Sequence, residues 1–164
     1  MKLIDSLITE FEHEAQTTRK HFERLPQDKL DWRPHEKSFT TAALASHITE
    51  LVTFTEAIFN QAELDFDPAT YKPYVATSVT DLLKTFDDNV AKGKQALAGA
   101  TEDTLEQPWS FKIMGRVRFE KPRAAAFRDF ALSHMIHHRG QFSVYLRLLN
   151  IPVPGSYGPS ADEQ

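Results

Sequence analysis

The chain has 164 residues, a formal net charge of −4 and a sequence pI near 6.0. That length is enough for one ordinary core and short for two, so a single domain over residues 1–164 is expected, and the lack of a basic surplus argues against a nucleic-acid partner. There is no cysteine, which excludes disulfides and thiolate nucleophiles and leaves histidine or carboxylate to hold any metal.

Acidic residues enter MKLIDSLITEFEHEAQ too early for a secretory apolar region. No uncharged stretch approaches the ~18 residues that would suggest a membrane span, so a cytoplasmic protein without membrane contact is expected. From Leu3 to about Arg24, Ile4, Leu7, Ile8, Phe11 and Ala15 recur at helical spacing and predict a first helix. LPQDKLDWRPHEKSF, with Pro26 and Pro34, reads as a connector that folds Leu30 and Trp32 over one end of the domain.

Thr40 or Thr41 can cap a second helix running to about Glu63, with Leu44, His47, Ile48, Leu51, Phe54 or Thr55, and Ile58 on its inner stripe. After the loop FDPATYKPYVA, Ser78 and Asp81 make a weak capping box for a third helix ending near Gly99, whose Gly93 weakens it locally. Between Gln107 and Lys121, apolar Trp109, Phe111, Ile113, Val117 and Phe119 alternate with polar residues around Gly115, so a short hairpin or extended excursion is expected. Pro122 fits the first turn of a fourth helix that continues through Leu149. The tail IPVPGSYGPSADEQ cannot be helical, and Tyr157 is its natural anchor. Four helices of about 20 residues each argue for an all-α four-helix bundle.

Three of the seven histidines, His134, His137 and His138, fall within LSHMIHHRGQ on the fourth helix. Positions four apart stack on one helix face, so His134 and His138 can aim at one point, and His47 points inward from the second helix. A single histidine on an apolar stripe is more often a core residue bonded to its neighbours. Three together multiply the cost of burying unpartnered rings, on the order of 1–3 kcal/mol each, whereas a divalent metal satisfies all three lone pairs. His134 with His137 could also meet. His138 lies on the stripe with Phe127, Phe130, Phe142 and Tyr145, so His47, His134 and His138 are taken as the metal ligands. His137 is then a group supporting a ligand, an acid/base at a pocket rim, or an inert surface residue.

Gln141 could orient a ligand or a metal-bound water, and Glu50, three residues after His47, could hydrogen-bond a ligand's second nitrogen or act as a base. A solvated helix residue is the commoner fate of such a glutamate. Arg139 points elsewhere, towards the tail or an adjacent subunit. His13, His21 and His35 receive no role.

The combination of DWRPHEKSFTTAALASHITEL, HMIHHRGQ and IPVPGSYGPSADE resembles the DinB-like superfamily across essentially the whole chain. The resemblance implies up-down-down-up connectivity with a long crossover between helices 2 and 3, and frequently a homodimer. It also implies a site for nickel, zinc, iron or manganese whose ligands match His47, His134 and His138. The activity implied is that of a metal-dependent S-transferase using a low-molecular-weight thiol, or of a hydrolase, acting on a small-molecule substrate. His137, Gln141 or Glu50 would then position or deprotonate the nucleophile, and substrate contacts would come from Tyr71, Tyr74, Trp109 and Tyr157. The alternative is a non-catalytic, stress-associated metal-binding protein with a structural or sensory metal.

Overall fold

A computed structural model describes residues 2–163. Its chain order is α1 (Leu3–Phe22), a single 3-10 turn (Gln27–Lys29), α2 (Thr41–Asn60), β1 (Glu63–Phe66), α3 (Val79–Ala98), α4 (Glu102–Glu106), β2 (Pro108–Ile113) and β3 (Arg116–Pro122). Then come α5 (Arg123–Ala126), a π-helical stretch (Phe127–Leu132) and α6 (Ser133–Leu148). The protein is mostly helical and carries a small three-stranded sheet. No helix among the described residues is long and apolar enough to cross a membrane.

The helix starts follow from local chemistry. Thr40 Oγ1 accepts from the Ala43 amide at 3.1 Å and Ser78 Oγ from the Asp81 amide at 3.0 Å, each satisfying a donor that the first turn leaves free. The Asp81 carboxylate turns to the Thr77 amide and the Tyr74 hydroxyl, both at 3.1 Å, so the box at Ser78 is not reciprocal. At the far end of α6, Asn150 takes a left-handed conformation (φ 57°) that stops the helix.

The fold departs from an all-α reading in the crossover. The second helix was expected to reach Glu63; it ends at Asn60, and Glu63–Phe66 runs parallel to β2, pairing Glu63 with Ser110 and Phe66 with Ile113. Arg123 decides this. Its buried guanidinium donates to the Ile58 carbonyl and, at 2.7 Å, to that of Gln61, closing the end of α2 from a residue more than sixty positions away. The hairpin of β2 and β3 turns through Met114 (φ 51°) and Gly115 (φ 74°), the pair of left-handed residues that a two-residue turn needs. The Asp65 carboxylate binds the Gly115 amide at 3.0 Å and ties β1 to that turn. The one-turn helix α4, capped by Thr101, is too short to leave a periodic signal.

In the core, α2 packs on α3 and α6, and α1 closes against α3 and α6. Phe22 meets Phe86 and Phe142 edge-on, with ring centroids 5.2 and 5.5 Å apart, a favourable aromatic geometry. Leu30 is buried, and Trp32 stands edge-on to Tyr145 at 5.5 Å, so the connector does cover one end of the helices. Gly93 serves close approach: a Cβ there would press on the Phe11 ring and on Thr55, so its small size lets α3 sit against α1 and α2. His21 is fully buried, its Nδ1 2.8 Å from the Thr17 carbonyl, and burial pushes its pKa below the ordinary histidine value.

The inner face of the last helix is rotated from the expected stripe. Phe127, Ala131, Met135, Arg139, Phe142 and Leu146 are buried, while Phe130, His134 and His138 are half-buried along the flank that faces α2. Arg139, expected to point away, is on the core face. It donates to the buried Glu14 carboxylate and, at 2.8 Å, to the Tyr157 hydroxyl of the tail. The pairing with the tail was expected and the buried glutamate was not. Tyr157 itself is 69% exposed; its hydroxyl lies 3.1 Å from Glu14, and the Arg139 guanidinium stands 5.4 Å from its ring centroid. Gly155 lies where any Cβ would strike the Gly158 carbonyl, so the tail folds back on itself there.

Candidate metal centre

His47 reaches the flank of α6 from the face of α2 that also carries Ala43 and Glu50, while His134 and His138 stack one turn apart on α6. The rings of His47 and His134 are 5.4 Å apart, those of His47 and His138 4.7 Å, and those of His134 and His138 4.8 Å. Taking one nitrogen from each ring, all three donors lie within 4.8 Å of one another. Donors bound to a common ion about 2 Å from each must lie roughly 3–3.5 Å apart, so the rings would have to close in on a bound ion. His137 is exposed and outside the trio.

The electrostatics favour lone pairs over protons. Burial lowers the pKa of all three rings, and neighbouring imidazoles add to it in each, with the Gln141 hydrogen bond opposing at His138. His134 is pushed down to about 4, first by burial and then by His138 and His47, with the Phe130 backbone opposing. Three neutral imidazoles without thiolate make a donor set suited to nickel, zinc or iron, and more weakly to manganese.

Gln141 orders the cluster. Its Oε1 lies 2.8 Å from His138 Nδ1, and because an amide oxygen only accepts, Nδ1 carries the hydrogen and the lone pair sits on Nε2. The Gln141 amide nitrogen in turn donates to His137 Nε2 at 3.1 Å. Replacing Gln141 with leucine is expected to weaken cation binding by roughly 10–100-fold, and Gln141→Glu, which keeps the acceptor, to recover most of it. Competition against a chromogenic chelator reads both; equal losses in the two variants would remove the orienting role.

Glu50 does not reach a histidine. Its two carboxylate oxygens accept from the Tyr71 hydroxyl at 2.8 Å and the Tyr74 amide at 3.0 Å, fastening the loop after β1 to α2. Burial together with Glu50 pushes the Tyr71 hydroxyl up to about 12. Tyr71 and Tyr74 then form part of the wall of a cavity of about 1040 Å³ that ends on His47 and His134. A shallower opening of about 430 Å³ reaches His138 beside Lys37 and Ser38, and Phe39 borders both. Of the remaining residues expected to meet substrate, Trp109 is fully buried between Phe119 and Phe130, and Tyr157 is held at Glu14 and Arg139; neither lines the cavity.

The model of the DinB family matches residues 2–164. The chain belongs to the DinB family. An uncharacterized Bacillus subtilis (strain 168) protein, YrdA, is 26% identical over 165 residues, covering 98% of this chain and 91% of that protein. Among solved structures, a DinB-like protein from Bacillus cereus ATCC 10987 superposes with a TM-score of 0.72 at 20% identity, covering 93% of this chain and 97% of that one. The DinB-like protein YjoA of B. subtilis gives 0.68 at 20% identity, with 97% and 99% covered. At that identity the two structures establish the DinB fold and nothing about activity.

Three contributors to the DinB site left little trace in the sequence. Phe39, beside the His47 ring at 5.8 Å, precedes the cap of α2 and belongs to no periodic pattern. Leu64 and Phe66 enter the cavity wall from β1, and the alternation in Glu63–Phe66 is the one signal that could have found them.

Proposed function

We propose that this DinB-family protein is a divalent-metal-dependent enzyme, a transferase using a low-molecular-weight thiol or a hydrolase, whose cation is held by His47, His134 and His138. The convergence of three neutral imidazoles at the end of a large cavity is the observation that carries this reading. The cation supplies Lewis acidity, making a thiol or water a better nucleophile at neutral pH. His47 is the ligand from one helix and His134 with His138 the pair from another. Gln141 fixes the tautomer of His138. Glu50, through Tyr71 and Tyr74, shapes the cavity that receives the small-molecule substrate. His137 bonds to Gln141 at the exposed edge of the site. The scaffold is read as one domain, an up-down-down-up four-helix bundle extended by the small sheet, working in the cytoplasm as a homodimer.

Elemental analysis of protein purified without added metal tests the reading. The expectation is close to one nickel, zinc, iron or manganese per chain, falling to background in His138→Ala, and turnover of a thiol with an electrophile only when metal is bound. Because protons compete for the same lone pairs, loading should persist down to the ordinary histidine value of 6.5 and disappear as the pH falls towards about 4. Wild-type protein that contains no metal and takes up none of these ions overturns the proposal.

A further inference from the structure

The cavity of about 1040 Å³ stands at the upper end of small-ligand sites. Its walls are mainly apolar: Leu51 and Phe54 from α2, Leu64 and Phe66 from β1, Phe111 from β2 and Phe130 from the π-helical stretch. Tyr71 and Val75, 44% and 48% exposed, stand at its rim on the loop after β1. The only formally charged side chains lining it are Glu50 and Glu56; among the described residues that line it there is no lysine or arginine. Both oxygens of Glu50 are already taken by Tyr71 and Tyr74. Asn89 is committed through Nδ2 to the Thr49 carbonyl at 3.1 Å.

We infer that this cavity receives an uncharged, largely apolar small molecule and rejects anions. Along the walls, away from the histidine end, an anion loses hydration, finds no cationic side chain in return and meets two glutamates. An apolar molecule loses nothing on dehydration and covers aromatic surface that otherwise faces water. The opposite approach to the histidines differs, since the shallow opening at His138 carries Lys37 and Ser38. Placing the apolar molecule as a reactant rests on the metal-dependent reading above, with Lys37 on the side where a charged thiol fits. The selectivity of the cavity does not rest on that reading.

A matched pair of fluorophores tests the inference on the full chain. N-phenyl-1-naphthylamine is neutral, and 1-anilinonaphthalene-8-sulfonate has the same ring skeleton with one negative charge. The neutral probe is expected to bind roughly tenfold tighter or more, a difference well inside what one desolvated charge commands. Ala43→Phe, which projects a ring into the cavity from α2, should weaken the neutral probe by a similar factor. Thr53→Lys, at an exposed position on the wall, should tighten the sulfonate, and it keeps the test decisive if Ala43→Phe does not melt cooperatively. Sulfonate binding equal to or tighter than neutral binding overturns the inference, as does indifference of the sulfonate to Thr53→Lys. Each titration is run with and without zinc, while metal content is measured separately. Preference for the neutral probe in a protein that binds no metal sustains the cavity and removes the metal reading. Bound metal with no preference does the reverse.

Discussion

Arg139→Met should destabilise the protein by about 3–5 kcal/mol, because it leaves the Glu14 carboxylate buried without its cation. Both side chains of the pair are nearly inaccessible, at 3% and 6% exposure. The guanidinium also donates to the Glu14 carbonyl at 3.2 Å and to the Tyr157 hydroxyl, so one substitution strips partners from α1 and from the tail together. Chemical denaturation monitored by circular dichroism reads the loss. The double variant Arg139→Met with Glu14→Leu should recover most of it, since an apolar pair of similar volume requires no desolvation of charge. A loss below about 1 kcal/mol in the single variant would mean that Glu14 finds water or another donor and that the pair does not hold the tail.

Phe127→Ala should cost a further large amount, about 3–5 kcal/mol, the range for emptying a buried aromatic site. Phe127 is fully buried, edge-on to Phe11 at 6.0 Å and 5.7 Å from Phe59, so its ring joins α1 to α2. It also begins the π-helical stretch, a rare departure from the α-helical ladder, in which Phe127, Ala131 and Leu132 are buried. Thermal unfolding should fall by roughly 10 °C or more for a chain of this size. Phe130→Ala, three residues on and half-buried against the cavity, should cost distinctly less, because the gap it leaves opens to an existing space. Equal losses at the two positions would show that Phe130 is as much a core residue as Phe127.

The two positions illustrate what periodicity can resolve. In the sequence, Phe127, Phe130, His134, His138, Phe142 and Tyr145 merge into one broad stripe, because steps of three and four cannot separate two adjacent faces of a helix. The structure divides them: Phe127 and Phe142 turn into the core, and Phe130, His134 and His138 turn towards α2. The π-helical stretch contributes, since it adds about one residue per turn and shifts the register before His134. Glu14 and Arg139 were illegible for a different reason. Each is a charged residue that is ordinarily solvated, and only its partner, 125 positions away, makes burial tolerable.

Glu50 shows the same limit at the site. Its position three residues after His47 placed it near the cluster, and the Tyr71 hydroxyl and Tyr74 amide then claimed both of its oxygens. Gln141 was legible, because three residues along one helix fix its neighbour without help from the rest of the fold.

The sequence by itself determined the four long helices, the cap at Ser78, a cap at Thr40 or its neighbour, an extended or hairpin segment around Gly115 and the grouping of His134 and His138. These depend on interactions within a few residues, where spacing and residue type suffice. Only the tertiary structure decided that α2 stops at Asn60, that β1 joins the hairpin into a sheet, that Arg139 turns inward to Glu14 and that a mainly apolar cavity ends on His47 and His134. Each of those outcomes is set by a partner distant in the chain: Arg123 for α2, Ser110–Ile113 for β1, Glu14 for Arg139, and Phe111 with Phe130 for the cavity. Pairing over such separations leaves no periodic mark in one dimension, because burial and hydrogen-bond satisfaction are properties of the assembled fold.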